Sequence, residues 1–148
     1  MGKYKIEPMD SSHISGVFEV GNLSLSESWS YESIKKELSN KLSKYFVALH
    51  ENKVIGFIGI WIVFNEGDIT NVAVHPEYRK QGVGNLLIEN LLSFCKKNNI
   101  DSLTLEVRES NFPAQSLYKK HAFKEEGLRK NFYNNPKENA IIMWRHNI

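Results

Sequence analysis

Residues 72–84 read VAVHPEYRKQGVG, and they lead from an apolar, strand-like segment through a glycine-containing loop into a helical pattern. The glycines at 82 and 84 allow backbone N–H groups to turn toward one point, next to the positive end of a helix that begins near Asn85. Arg79 and Lys80 add positive charge beside that point. Directed donors with counter-charge are typical of a diphosphate site, whereas the alternative is an ordinary helix-entry turn that happens to contain two glycines.

Two common phosphate-binding motifs do not fit this segment. A dinucleotide fold needs G-x-G-x-x-G almost directly after the strand, but Leu87 occupies the third glycine position and seven residues separate Val74 from Gly82. A P-loop needs G-x-x-x-x-G-K-[ST], and residues 16–23, GVFEVGNL, lack both the lysine and the hydroxyl. The loop therefore indicates a different kind of phosphate site.

Apolar periodicity predicts the elements on either side of the loop. Strands are predicted at 4–9, 44–50, 54–64, 68–74, 102–107, 123–133 and 140–145, and helices at 14–18, after Ser30, at 85–98 and at 114–121. Turns are predicted at 51–53 and 65–67. The resulting order, β, α, α, β, β, β, α, β, α, β, β, predicts an α/β fold with one mixed sheet and helices on both faces.

Length and composition narrow the function further. The 148 residues are expected to form a single domain, 1–148, since roughly 150 residues is typical of one domain. Nineteen Lys and Arg against 17 Asp and Glu give a net charge of +2, and the basic residues are scattered, so a nucleic-acid groove is not expected. No apolar run is long enough to cross a membrane and no secretory signal opens the chain, which favours the cytoplasm.

The sequence offers little for metal or thiol chemistry. Cys95 is the one cysteine in the chain, and its position on the apolar side of a predicted helix indicates an inert buried thiol. The five histidines do not show close metal-ligand spacing. We therefore expect no metal site.

The loop and the order of elements together resemble the GNAT N-acetyltransferases. Arg79 to Gly84 matches the R-x-x-G-x-G/A loop with which that family grips the diphosphate of acetyl-CoA. The resemblance implies that acetyl-CoA is the co-substrate and that its pantetheine arm pairs with the backbone of a strand that splays from its neighbour. By this resemblance the cofactor-binding residues are Val72, Ala73, Val74, Arg79, Lys80, Gln81, Gly82, Val83, Gly84 and Asn85.

Downstream segments are similar to the RimI-type branch, the ribosomal-protein-alanine N-acetyltransferases. The most specific is residues 105–111, LEVRESN, followed by RKNFY at 129–133 and ENAIIM at 138–143. This likeness implies that the acceptor is the N-terminal α-amine of a protein, with alanine first. It also implies that Glu106 is the general base, that Tyr118 is the general acid and that Asn111 contacts the cofactor.

Each of these roles has a structural alternative. Glu106 could be a surface carboxylate at a strand end, Tyr118 a packing tyrosine and Asn111 a helix-entry residue. The chain also departs from the branch, with Glu27-Ser28 in place of Phe-Pro, Ala122 in place of Gly and Asn139 in place of Asp. An acetyltransferase of a small amine, such as a polyamine, antibiotic or amino acid, or a non-catalytic CoA-binding module, therefore stays open, as does a monomer or homodimer.

Overall fold

A computed structural model describes residues 3–24 and 29–148. Within them, seven strands form one mixed sheet in the order β1-β2-β3-β4-β5-β7-β6. The strands are β1 Lys5–Pro8, β2 Ser43–His50, β3 Lys53–Val63, β4 Glu66–Val74, β5 Ser102–Arg108, β6 Lys124–Tyr133 and β7 Glu138–Arg145. The helices are α1 Ile14–Ser24, α2 Tyr31–Ser39, α3 Val83–Lys97 and α4 Phe112–Lys120. The predicted element order and fold class are confirmed.

The sheet has one parallel pairing, between β4 and β5, among antiparallel neighbours. A parallel pair needs a crossover, and α3 supplies it. Because β4 and β5 are parallel, their carboxyl ends lie on the same edge of the sheet. The carboxyl end of β4 leads into the glycine loop. The topology thus brings the loop and the LEVRESN segment together.

Helices cover the two faces of the sheet. On one face, α1 packs on β3 and β4, and α2 packs on β2, with Val17, Val20 and Val47 in the core. On the other face, α3 and α4 enclose the larger core, which includes Leu87, Leu105 and Tyr118. Burial of these apolar stripes, rather than helix propensity, holds the helices in place.

Several boundaries differ from the prediction. The turn expected at 65–67 is the two-residue turn at 64–65, so that β4 begins at Glu66. Helix α3 begins at Val83 rather than Asn85, and β7 at Glu138 rather than Ala140. In each case residues that the pattern assigned to a loop belong to regular structure, because backbone hydrogen bonding extends past the end of the apolar periodicity.

Other sequence features have clear structural positions. Cys95 is fully buried, and burial raises the pKa of its thiol to about 11. Both findings agree with the prediction that this thiol is unreactive. The Glu27-Ser28 departure lies outside the described residues. None of the helices in the described part of the chain is long and apolar enough to cross a membrane.

Candidate active site

A gap between β4 and β5 is the central feature of the site. The two strands pair from Glu66↔Ser102 to Ile69↔Leu105 and no further, although β4 continues to Val74. At that point the pairing of β4 with β3 shifts register between Gly59 and Ile60, which is a β-bulge. A bulge bends its strand, and here it accompanies the divergence of β4 from β5.

The divergent part of β4 contains the predicted Val72, Ala73 and Val74. They pair with β3 on one side only, at Ile58, Phe57 and Gly56. The carbonyl oxygen of Val74 accepts hydrogen bonds from the side chains of Ser24 and Arg79. The other backbone groups that point away from β3 face the gap, where a ligand could pair with them as an added strand would. The gap therefore fits the extended pantetheine arm of acetyl-CoA that the GNAT resemblance implies.

The glycine loop ends at the amino terminus of α3. Gly82 is the N-cap residue with φ of +83°, a left-handed conformation that favours glycine, and no side chain caps the helix. The N–H groups of Val83, Gly84 and Asn85 in the first turn therefore have no intrahelical acceptor. A Cβ built on Gly82 meets nothing within 4 Å. Open space above unpaired donors fits the diphosphate of acetyl-CoA.

Side chains hold the rest of the loop in place. Nε of Arg79 donates to the carbonyl oxygen of Val74 at 3.3 Å, and Nε2 of Gln81 donates to that of Glu77 at 3.3 Å. The hydroxyl of Tyr4, just before β1, donates to Oε1 of Gln81. Lys80 has a positive φ of 61°. The loop is thus anchored to both the sheet and its own turn.

Two residues beside the loop act differently from the expectation. Gly84 is not needed for a positive φ; a Cβ there would lie 3.0 Å from Cδ2 of Leu117, so glycine permits α3 to approach α4 closely. The side chain of Asn85 hydrogen-bonds through Oδ1 to Nε2 of His121 at 2.7 Å. The side-chain Oδ1 of Asn85 is therefore already engaged, and the main-chain N–H of Asn85 at the start of α3 is the group that faces a ligand in this arrangement.

Glu106 is the first residue of β5 beyond the paired segment. Oε2 of Glu106 lies 3.2 Å from a guanidinium nitrogen of Arg129 on β6, and the two side chains are 25% and 56% exposed. Burial, and secondly the charge of Glu106, raise the pKa of nearby Asp68 to about 6, while Arg129 opposes this shift. Sequence reasoning missed Asp68 and did not assign a role to Arg129.

Tyr118 lies on the other side of β5. It is 7% exposed, belongs to the core that contains Leu105 and Val107, and packs on Phe123 with ring centroids 5.8 Å apart. Alternation along the strand places Glu106 on the opposite face. Burial, with a smaller contribution from Tyr133, raises the pKa of the Tyr118 phenol well above its usual value. The phenol therefore stays protonated at neutral pH.

Asn111 has the helix-entry position. It is the N-cap residue of α4, and its Oδ1 accepts a hydrogen bond from the backbone N–H of Ala114 at 3.2 Å. The side chain is exposed at the carboxyl side of β5, and its Nδ2 group is not used in this bond. The cap and a contact with a ligand through Nδ2 are compatible.

The β6–β7 loop is fixed beside this edge by an ion pair. Arg108 contacts Glu138 at 3.2 Å and donates to the carbonyl oxygens of Asn134 and Pro136 at 3.0 and 2.9 Å. Glu138 accepts from the N–H of Ser110 at 2.6 Å. Hydrogen bonding to Ser110, through its side chain first and then its backbone, and the nearby Arg108 hold the pKa of Glu138 below its usual value. This loop therefore forms a preorganised wall next to the gap.

The Asn139 departure has a local structural role. Its Oδ1 accepts a hydrogen bond from the N–H of Asn131 at 3.0 Å, inside the irregular part of β6.

Among residues 3–24 and 29–148, no group of three or more His, Cys, Asp or Glu side chains is placed to hold a metal ion.

Comparison with known proteins agrees with this geometry. The profile of the acetyltransferase (GNAT) family matches residues 15–123. A Bacillus subtilis relative, provisionally named a ribosomal protein bS18-alanine N-acetyltransferase, is 39% identical over 96% of this chain and 95% of its own. The Haemophilus influenzae ribosomal protein bS18-alanine N-acetyltransferase is 37% identical, over 78% of this chain and 80% of its own.

A solved structure gives the same result. The crystal structure of the Escherichia coli ribosomal-protein-S18-alanine N-acetyltransferase superposes with a TM-score of 0.90 at 28% identity, covering 97% of this chain and 93% of that one. The identity of the Bacillus subtilis relative and the family match over most of the chain are sufficient to assign the family. The chain belongs to the acetyltransferase (GNAT) family and is an acetyl-CoA-dependent N-acetyltransferase.

Proposed function

We propose that the acceptor is the N-terminal α-amine of a protein, most simply a ribosomal protein that begins with alanine. The observation that carries the proposal is the place of Glu106, the first residue of β5 beyond its pairing with β4. There a carboxylate that is 25% exposed borders the gap, and exposed β6 leaves that side of the sheet open. The names of the relatives support the same acceptor class.

The α-amine suits a site with one general base. Its pKa in model peptides is about 7.7–8.0, against about 10.4 for a lysine side chain, so its proton is removed at much smaller cost. A carboxylate such as Glu106 is then sufficient to accept that proton. A lysine acceptor would require stronger assistance than these residues offer.

We propose that two groups of residues hold acetyl-CoA. The diphosphate binds to Arg79, Lys80 and Gln81 and to the main chain of Gly82, Val83, Gly84 and Asn85. The pantetheine arm pairs with the backbone of Val72, Ala73 and Val74, and Asn111 contacts it from the start of α4. The unpaired first-turn donors of α3 and the one-sided pairing of β4 support this arrangement.

The transfer then needs two proton movements. Acetyl-CoA supplies the acetyl group and leaves as the free thiol. Glu106 accepts a proton from the acceptor nitrogen as that nitrogen forms its bond to the acyl carbon. The hydroxyl of Tyr118 donates a proton to the sulfur as the C–S bond breaks, and solvent restores both residues. A well-placed acid or base contributes about 10²–10⁴-fold.

We propose direct transfer in a ternary complex. A ping-pong route requires an accessible nucleophile, and the chain's one cysteine, Cys95, is fully buried with its pKa raised to about 11.

The described part of the chain forms one sheet, which supports a single domain over 1–148. A ribosomal acceptor supports a cytoplasmic location.

The test is acetyl-CoA consumption, read as released thiol, with peptides that differ only in their first residue and with a pool of small amines. We expect selective turnover of the alanine-initiated peptide. Turnover of small amines alone would overturn the proposed acceptor. Glu106→Gln is expected to reduce kcat by about 100-fold or more while acetyl-CoA affinity stays near normal.

The control for this variant is Glu109→Gln. Glu109 is an exposed acid three residues further along the chain, and its side chain has no role in the proposed site. Wild-type turnover by Glu109→Gln with loss by Glu106→Gln would support the assignment. Equal rates for the wild type and Glu106→Gln would show that Glu106 is not the base.

A further inference from the structure

Asp68 lies on the same face of the sheet as Glu106. Asp68 pairs with Thr104 in the parallel register, and Glu106 follows two residues later on β5. Side chains alternate along a strand, so Thr104 and Glu106 share a face with Asp68. Strand spacing and rise place the Cα atoms of the two acids roughly 8 Å apart. Both carboxylates therefore point toward one region at the start of the gap.

The charges around this pair do not balance. Glu106 from β5 and Arg129 from β6 are the charged groups that act on Asp68. The β3 neighbour of Asp68 is Trp61, whose indole N–H donates to Glu37 of α2 at 2.7 Å, so α2 adds no cation there. With both acids ionised, two negative charges face one guanidinium. The cluster has room for a second positive charge.

The ion pair between Arg129 and Glu106 is weak. The side chain of Arg129 is 56% exposed and contacts Glu106 at 3.2 Å. Exposed ion pairs contribute little free energy because water screens them, so a competing cation can replace the guanidinium at small cost. Asp68, in contrast, is half-buried on a paired strand and cannot move away.

The acceptor can supply the positive charge that the two carboxylates and one guanidinium leave unbalanced. An α-amine with a pKa of about 7.7–8.0 is largely a protonated ammonium at neutral pH, with three N–H donors. One carboxylate can hold the ammonium while the other takes its extra proton and passes it to solvent, and that second carboxylate then accepts another proton as the neutral amine bonds to the acyl carbon. The arrangement separates recognition of the amine from its deprotonation, and Glu106, at the gap, has the better position for the second task.

We propose that Asp68 is a specificity-determining residue that binds the ammonium form of the acceptor beside Glu106, and that the ammonium displaces Arg129 from Glu106. This inference rests on the proposed acceptor class, since it requires a primary amine that arrives charged. Arg129 then returns to Glu106 when the acetylated, uncharged product leaves. Asp68 takes no proton from the acceptor in this scheme.

The test is steady-state kinetics of Asp68→Asn with an alanine-initiated peptide and with any small amine that the wild type acetylates. We expect KM for the amine to rise about tenfold, with kcat and KM for acetyl-CoA changed little. Glu66→Gln is the matched control, because Glu66 is an exposed acid on the same strand. It is expected to leave all three constants unchanged.

The pH profile distinguishes this role from a structural one. Because burial raises the pKa of Asp68 to about 6, the wild-type residue is neutral below that pH and charged above it. The advantage of the wild type over Asp68→Asn should therefore be largest near pH 7, where Asp68 is charged and the α-amine is mostly protonated, and shrink toward none as pH falls below about 6. An equal deficit at both pH values, or an unchanged KM for the amine, would overturn the inference.

Stability gives an independent readout. The raised pKa means that folding disfavours ionised Asp68, so its cost to stability grows as pH rises from 3.8 to about 6 and persists above. Asp68→Asn should therefore unfold at a higher temperature than the wild type at pH 8. If the wild type acetylates amines but no peptide, the proposed acceptor fails, whereas the Asp68 effect is still decided on those amines.

Discussion

At the scale of single residues, Tyr118 shows how burial shapes the group that we propose as the general acid. Its ring fills the core next to Phe123, and the same burial raises the pKa of its hydroxyl. A phenol of raised pKa is a weaker acid in water but is fully protonated at every pH at which the enzyme works. It can therefore hydrogen-bond or protonate a departing thiolate without a competing anionic form.

This property gives the first prediction. Tyr118→Phe keeps the ring packing and removes the hydroxyl, so we expect kcat to fall about 100-fold or more with little change in melting temperature or acetyl-CoA affinity. No loss of wild-type activity up to about pH 10 should be traceable to ionisation of Tyr118. Thiol-release kinetics and calorimetry measure these quantities.

Tyr133→Phe is the comparison for that variant. Tyr133 is the other phenol that acts electrostatically on Tyr118, at the end of β6. If kcat falls in Tyr133→Phe and is unchanged in Tyr118→Phe, the general acid is Tyr133 and not Tyr118.

The sequence, through its family resemblance, led us to propose Glu106 and Tyr118, but it could not show the charges around Glu106. Asp68, Glu106 and Arg129 are far apart in the chain and meet only because β5 pairs in parallel with β4 and, through β7, neighbours β6. A register of that kind depends on how the sheet assembles, which local patterns do not contain. The sequence placed Asp68 at the start of its predicted strand, next to a turn, where an aspartate is common, and only the structure shows it inside the strand.

At the scale of elements, the end of α4 explains one departure from the family pattern. Ala122 follows the C-cap with φ of +68°, and the next N–H, that of Phe123, donates to the carbonyl oxygen of Tyr118 at 3.1 Å. Glycine is preferred at this position because an L side chain is strained there. The sequence showed the substitution, but the positive φ that gives it a cost is visible only in the structure.

Ala122→Gly should therefore stabilise the protein. Relief of the left-handed strain is worth about 1 kcal/mol, partly offset by the freedom that glycine adds to the unfolded chain. After that offset the melting temperature should rise by about 1–2 °C, measured by calorimetry, with kcat unchanged. Ala114→Gly inside α4 should act in the opposite direction, and a lower melting temperature for Ala122→Gly would contradict this account.

The start of α3 was predicted close to its observed position. The sequence indicated a helix entry that contains two glycines, and the structure has that entry two residues earlier than expected, while its binding of a phosphate stays a prediction. Of the two glycines, only Gly82 needs its conformational freedom, while Gly84 provides space for Leu117. A motif shows that glycines are present but not which constraint each one satisfies.

Gly82→Asn tests the diphosphate site. Asparagine tolerates a positive φ, so the loop should fold, but its side chain would occupy the open space above the first-turn N–H groups. We expect the Kd for acetyl-CoA to rise about tenfold or more in calorimetric titration. Gly82→Ala adds strain without that reach and serves as the control. Wild-type affinity for Gly82→Asn would exclude the diphosphate from this helix end.

At the scale of the whole molecule, the sheet is divided into two parts that are joined over a short distance. Strands β1 to β4 form one antiparallel unit, β5 to β7 form the other, and the pairs from Glu66↔Ser102 to Ile69↔Leu105 connect them. Beyond that connection the two units diverge. A ligand that pairs with β4 in the gap would supply the strand contacts that the protein itself does not make there.

Acetyl-CoA should therefore protect the sheet as an added strand does. We expect hydrogen exchange to slow, on saturation with acetyl-CoA, at those amides of residues 70–74 that point away from β3, and in the first turn of α3. Residues 5–8 of β1 lie at the far edge of the sheet and should change little, apart from the global stabilisation that ligand binding gives. Protection at residues 79–85 without any at residues 70–74 would mean that the diphosphate binds as proposed while the pantetheine arm takes another path. In that case the divergence of β4 and β5 would not be the acyl-transfer site, and the role of Glu106 at its edge would have to be abandoned with it.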